Sequence, residues 1–257
     1  MTQWVRYTTA DGTPGMGALE GAHIAEVRGS SHADAVATGR RLALADVRLA
    51  APCTPTKVIA LWNNFRALGE KLGKAAPVHP LFLMKPATSV IGPGELIRRP
   101  ARYAGKIVFE GELGIVIGRT CSNVSVEDAP GYILGYTCVN DVTAAELIAE
   151  DANFAQWTRA KGYDTFCCLG PAITTDLDWK SASVRTVLDG AERQNYPIAD
   201  AIFTPPEIVS RLSGDMTLYP GDVIAIGTNV GLGSMKDGST ICVSIEGIGE
   251  LRNTLAA

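Results

Sequence analysis

Lys106-Ile-Val-Phe-Glu-Gly-Glu-Leu-Gly-Ile-Val-Ile-Gly118 is the stretch on which the reading of this chain turns. It is short, rich in β-branched and aromatic residues, and stopped by Gly118, so it reads as a strand. Side chains alternate between the two faces of a strand. Phe109, Leu113, Ile115 and Ile117 therefore point into a core, and Glu110 and Glu112 point together the other way. The glutamates share their face with Val116, so that face is not expected to be simply wet. Two carboxylates held this close repel each other unless a proton or a cation sits between them. A third, Asp141, ends the next strand-like run, Tyr136-Thr-Cys-Val-Asn-Asp-Val-Thr143. Three convergent carboxylates without histidine or cysteine form a hard, all-oxygen donor set, suited to Mg²⁺, Mn²⁺ or Ca²⁺ rather than zinc or copper. Spacing alone equally fits the solvent face of an amphipathic strand and an unrelated turn aspartate.

Working outward, residues 1–50 read as a small β-rich unit. Trp4-Val-Arg-Tyr7 and Ala22-His-Ile-Ala-Glu-Val27 flank a turn at Ala10-Asp-Gly-Thr-Pro-Gly15, and a helix-like stretch follows from Ala33 to Leu44. The two prolines of Ala51-Pro-Cys-Thr-Pro-Thr56 mark a boundary, and the main body occupies residues 55–257. There, Lys57 to Leu61 reads as a strand, and Asn63 or Asn64 is placed to cap a short helix that Gly73 stops. Leu81 to Pro86 is a strand carrying Lys85, and Thr143 to Trp157 reads as a helix with a threonine cap. Asp189-Gly190 suits a hairpin turn between Val184–Leu188 and Glu192–Tyr196. Pro205 opens another helix. Tyr219 to Gly227 turns into a buried strand, and Cys242 to Leu251 is a final one. Strands dominate and helices are short, which predicts a mixed, mostly β architecture rather than regular βαβ winding.

Composition narrows the function classes. A formal charge of -4 with no basic block argues against a nucleic-acid partner. No apolar run is long enough to span a bilayer, and the first residues lack a signal-peptide core, so a soluble cytoplasmic protein is expected. The six cysteines form no C-x-x-C pair and lie mostly in apolar context, which reads as small buried hydrophobes. Only His23, His32 and His79 offer an imidazole, so candidates for a neutral-pH base are few.

Five motifs in order make the chain, from about residue 55 to 253, resemble the fumarylacetoacetate hydrolase family. They are Phe82-Leu-Met-Lys85-Pro, Phe109-Glu-Gly-Glu-Leu-Gly-Ile-Val-Ile-Gly118, Gly135-Tyr-Thr-Cys-Val-Asn-Asp-Val-Thr143, Gln156-Trp-Thr-Arg-Ala-Lys-Gly-Tyr-Asp-Thr-Phe166 and Pro220-Gly-Asp-Val-Ile-Ala-Ile-Gly-Thr228. The resemblance implies a distorted β-roll, with Glu110, Glu112 and Asp141 holding Mg²⁺ or Mn²⁺. It further implies a homodimer and a small-molecule substrate that is a 2-oxo or β-diketo acid. Lys161 matches the family's lysine beside the metal, and Thr228 a threonine at the pocket floor. Lys85 is carried as a substrate-binding candidate. The family's Gly-Thr-Pro loop reads Gly227-Thr-Asn229 here.

The departures carry as much information. Where hydrolysing or decarboxylating members show Asn-Tyr-x-x-His-x-x-Glu, this chain has Asn64-Phe-Arg-Ala-Leu-Gly-Glu-Lys71. Leu68 replaces the histidine and Lys71 its glutamate partner, and leucine cannot accept a proton. A second motif, Asn-Asp-x-Ser/Thr-Ala-Arg-Asp-x-Gln, has Ala145 and Ile148 for its arginine and glutamine, which suggests a more apolar pocket. Glu70 is the nearest carboxylate to offer a replacement base, Lys71 offers a contact for a distal carboxylate, and His79 stands in the loop before the Lys85 strand. Stabilisation of an enolate needs only a divalent ion and Lys161, whereas hydrolysis needs an activated water. The expected activity is thus a metal-dependent isomerase, tautomerase or decarboxylase, serving the catabolism of aromatic compounds. An acylpyruvate-type C–C hydrolase with a displaced base and a non-catalytic metal- or ligand-binding homologue are the alternatives.

Overall fold

A computed structural model describes residues 1–29 and 32–257. In chain order, β1 (Gln3–Thr9), β2 (Pro14–Glu20), β3 (His23–Arg28), β4 (Val36–Ala43) and β5 (Val47–Ala50) form an N-terminal β domain. The larger part follows with β6 (Val58–Trp62), α1 (Arg66–Lys71), β7 (Leu81–Lys85), β8 (Val90–Ile91), β9 (Leu96–Ile97), β10 (Ile107–Phe109), β11 (Gly111–Ile117), β12 (Ile133–Asp141) and β13 (Thr143–Ala144). Then come α2 (Trp157–Lys161), β14 (Cys167–Thr174), β15 (Ser183–Leu188), β16 (Ala191–Pro197), α3 (Pro205–Asp215), β17 (Val223–Ala225), β18 (Gly233–Met235), β19 (Thr240–Ile245) and β20 (Gly249–Leu255). The fold is mostly β, as the short apolar runs predict.

The main sheet runs β4-β3-β2-β1-β14-β12-β11-β17-β6-β7, so the N-terminal strands extend it through β1. That junction is narrow: Gln3 faces Thr174 and Trp4 faces Ile173. A second sheet, β16-β15-β19-β20-β9, packs against the β11, β12 and β14 region. The space between the sheets is the principal core. Leu113, Ile115 and Ile117 project into it beside Val184, Tyr196, Val243 and Leu251. Val116, Val139, Leu169 and Val223 cover the opposite face of the main sheet, with Trp4 and Trp157 packed over them. Period-two alternation thus supplies apolar side chains to two layers at once, which is why β11 is buried at every position.

Four local readings are corrected. Residues 36–43 form strand β4 on the edge of β3 instead of a helix, because Val36 and Thr38 are β-branched, Gly39 sits at φ 81° and β3 offers an open ladder. The expected helix from Thr143 to Trp157 is a short pairing with β10, a 3-10 turn over Ala145–Ala149, and a loop in which Asp151 turns back onto the Asn153 amide. Neither Asn63 nor Asn64 caps α1: Asn64 Nδ2 donates to the Ile226 carbonyl at 2.8 Å, and its Oδ1 accepts from the Phe203 amide at 2.9 Å. The last strand is a hairpin, β19 and β20, turning through Gly247 and Gly249 at φ 84° and 117°. The hairpin at Asp189-Gly190 forms as predicted, both residues having positive φ. All six cysteines are free and buried, and Cys167 and Cys168 pack on opposite faces of β14.

Candidate metal centre

The stretch that reads as one strand is two. β10 pairs with β13 and β18, β11 joins the main sheet, and the chain changes sheets at Glu110. At this corner the Glu110 amide donates to Asn140 Oδ1 at 3.0 Å, and its carbonyl accepts from the Asp141 amide at 2.9 Å. The corner swings Glu110 toward Glu112 and toward Asp141 at the end of β12. Carboxylate oxygens from all three residues lie within 4.8 Å of one another.

Gly111, between the glutamates, is held on both sides. Its N–H donates to Gln194 Oε1 at 3.1 Å. Its carbonyl accepts from Tyr196 Oη at 2.6 Å and from Thr228 Oγ1 at 2.9 Å. Gln194 Nε2 donates in turn to Thr228 Oγ1 at 2.8 Å and to the Asn229 carbonyl at 2.9 Å. Only glycine fits here, because a Cβ would stand 2.2 Å from Thr186 Cγ2. Glu112 is fully buried and accepts one bond, from the Gly227 amide at 2.8 Å.

Two lysines answer the acids. Lys161, at the end of α2, places Nζ 2.6 Å from Asp141 Oδ2, 2.9 Å from Glu110 Oε2 and 2.7 Å from Thr143 Oγ1. Lys85, wholly buried on β7, places Nζ 2.6 Å from Asp141 Oδ1 and donates to the Lys161 carbonyl. Three carboxylates against two ammonium groups leave one negative charge unanswered, and it falls on Glu112. Burial first, then Asp141 and Glu110, push the Glu112 carboxyl well above the ordinary range. Burial also acts to raise Asp141, but Lys161 and Lys85 outweigh it and hold that carboxyl low. Burial would lower the Lys161 ammonium, yet Asp141, Glu110 and Glu112 raise it, so it remains charged.

This arrangement fits a divalent cation. The donors are all oxygen, and with the three acids ionised the net charge is negative. Glu112 Oε1 is buried without a hydrogen-bond partner, a costly state that a cation would relieve.

Of the other candidates from the sequence, Thr228 is buried beside Glu112's strand, but its hydroxyl is engaged by Gly111 and Gln194. Glu70 and Lys71 lie exposed on α1, and among the described residues no ion pair joins Lys71 to the acid cluster. Leu68, on the same helix, is buried. His79 is exposed and faces Arg211 at 3.1 Å. Ala145 and Ile148 lie on the 3-10 turn, where Ile148 packs against the main core. Sequence reasoning missed Thr143, Gln194 and Tyr196 as parts of the centre. The alternation of β16 puts the latter two on its buried face, but nothing local indicates that they reach Gly111.

A family model described as "Fumarylacetoacetate (FAA) hydrolase C-terminal" matches residues 57–256, and one described as "Rv2993c-like, N-terminal" matches residues 2–52. The Bacillus subtilis oxaloacetate tautomerase YisK is 34% identical over 226 residues, covering 82% of this chain and 74% of that protein. The crystal structure of 5-carboxymethyl-2-hydroxymuconate delta-isomerase from Mycobacterium smegmatis superposes with TM-score 0.91 at 40% identity, covering 99% of both chains. Maleylpyruvate hydrolase from Sphingobium sp. SYK-6, solved with manganese(II) and pyruvate, superposes with TM-score 0.80 at 26% identity, covering 99% of this chain and 98% of that one.

Proposed function

The chain belongs to the fumarylacetoacetate hydrolase family of enzymes, and on that premise we propose that it is a divalent-metal-dependent isomerase or tautomerase of a small 2-oxo acid. The observation that carries this reading is a complete acid–lysine centre without a histidine. Glu110, Glu112, Asp141 and Lys161 converge, and buried leucine, Leu68, stands where the family's proton acceptor is expected.

Glu110, Glu112 and Asp141 would hold the cation, Mg²⁺ or Mn²⁺ by donor type. Bound there, it supplies Lewis-acid polarisation of a 2-oxo carbonyl. Lys161 contributes a fixed positive charge. Asp141, Glu110 and Glu112 favour its charged form, and it would stabilise negative charge on a substrate oxygen as an α-proton leaves. Lys85, bound to Asp141 and the Lys161 carbonyl, positions that acid and that lysine. Proton transfer falls to solvent water, with Glu70 on the exposed face of α1 the nearest alternative by sequence. Tautomerisation needs a proton moved between carbon and oxygen and no water activated for attack, so this constellation suits it.

The names of two relatives support this reading, an oxaloacetate tautomerase and a hydroxymuconate isomerase. The hydrolase with manganese and pyruvate keeps C–C cleavage as the second reading. The test is ultraviolet decay of the oxaloacetate enol band with Mg²⁺, against an EDTA control, with carbon dioxide and acid fragments assayed in parallel. The expected result is metal-dependent loss of the enol with neither product. Cleavage of an acylpyruvate at an ordinary enzymatic rate would transfer the chain to the second reading.

A further inference from the structure

A cavity of about 720 Å³ lies between the N-terminal strands and the main sheet, well apart from the acid centre, none of whose residues lines it. Its volume falls in the range of small-molecule sites, and such sites favour junctions between structural units. Three arginines from three separate elements line it: Arg6 on β1, Arg28 at the end of β3, and Arg119 just past β11. Neither Arg6 nor Arg119 has an ion-pair partner among the described residues, in a chain whose net charge is -4.

The one acid in the lining does not compensate them. Glu26 accepts from Tyr7 Oη at 3.0 Å and from Thr38 Oγ1 at 2.9 Å, and it faces Arg40 at 3.5 Å. Arg119 lies over the Tyr132 ring at 4.9 Å, which uses the face of the guanidinium and leaves its N–H edge available. His32 adds a buried Nε2 without a hydrogen-bond partner. In the wall, Gly131 has open space where a Cβ would stand, which lets a ligand approach the backbone there.

We propose that this cavity binds a small dianion, a dicarboxylate or a phosphate, through Arg6, Arg28 and Arg119. Guanidinium groups suit the task because their planar fork matches both carboxylate and phosphate oxygens. A ligand seated there bridges β1 and β3 to the turn at Pro220-Gly221.

The test is calorimetric titration of the full chain in Mg²⁺ with succinate, which lacks a 2-oxo group, and separately with inorganic phosphate. The expected result is saturable binding of at least one below about 1 mM. Binding weakens about tenfold in both Arg6→Gln and Arg119→Ala, and persists in Glu112→Gln. Whichever anion binds more tightly identifies the ligand class. Arg119 is exposed, so its variant decides the question even if Arg6→Gln fails to fold. No heat from either anion up to about 10 mM, or binding lost in Glu112→Gln and kept in the arginine variants, overturns the proposal.

Discussion

Tyr196 Oη donates a 2.6 Å hydrogen bond to the carbonyl of Gly111, the residue that joins Glu110 to Glu112. With Gln194 on the amide of the same glycine, a hairpin far along the chain fixes the spacing of two acids. Partners that orient ligands without touching the metal commonly tune its affinity. Replacing Gln194 by Leu, or Tyr196 by Phe, is expected to weaken Mn²⁺ binding about tenfold or more while the chain stays folded. Titration calorimetry alongside circular dichroism checks both halves of this outcome.

Gly111→Ala forces a Cβ against Thr186 Cγ2, and overpacking of this kind costs about 1–3 kcal/mol. Thr186→Ser removes the clashing methyl and keeps the hydroxyl that accepts from the Gln194 amide at 3.0 Å. The double variant is therefore expected to recover most of the stability that the single one loses. Urea denaturation of the four proteins in the cycle measures that coupling; purely additive losses would show that the methyl contact is not the cause.

If the absence of an imidazole sets the reaction type, restoring one should change it. Leu68→His combined with Lys71→Glu is expected to add acylpyruvate cleavage at least about a hundredfold above the parent chain, the lower range for a positioned acid–base group. Release of pyruvate from acetylpyruvate is the readout. A double variant that binds metal normally but cleaves nothing would detach hydrolysis from this pair.

His32 gives a pH dependence with a definite sign. Burial, and then Arg6, push its imidazole from 6.5 down to about 4 in the folded chain. Through that window the unfolded chain binds the proton and the folded one does not, so stability falls as pH drops from neutrality toward about 4. His32→Asn is expected to flatten this part of the curve. Thermal midpoints of parent and variant from pH 7 to 4.5 test it, and parallel curves would contradict it.

Much of this architecture is legible because period-two alternation is a local signal. β11 follows from it, β6 from an unbroken apolar run, and the hairpin from the Asp189-Gly190 turn pair. The acid trio stands out because charge on a strand otherwise buried throughout demands compensation. Non-local geometry is what the sequence hides. The change of sheet at Glu110 depends on pairing with β13 and β18, and no residue near Glu110 announces it. Thr143 looks like a helix cap, yet its hydroxyl accepts from Lys161 Nζ and donates to Glu110 Oε1 at 2.9 Å, a use created only when α2 folds over the centre. Residues 36–43 have no strong periodicity, and the open edge of β3 decides their conformation.

In the proposed function, Glu110, Glu112 and Asp141 bind one divalent cation on which turnover depends. Anomalous diffraction from crystals soaked in Mn²⁺, paired with turnover of Asp141→Asn, tests it most directly. A single manganese peak among the three carboxylates is expected, with loss of both the peak and the activity in the variant. Acids that stay empty in millimolar Mn²⁺, or a variant that turns over like the parent, would contradict it.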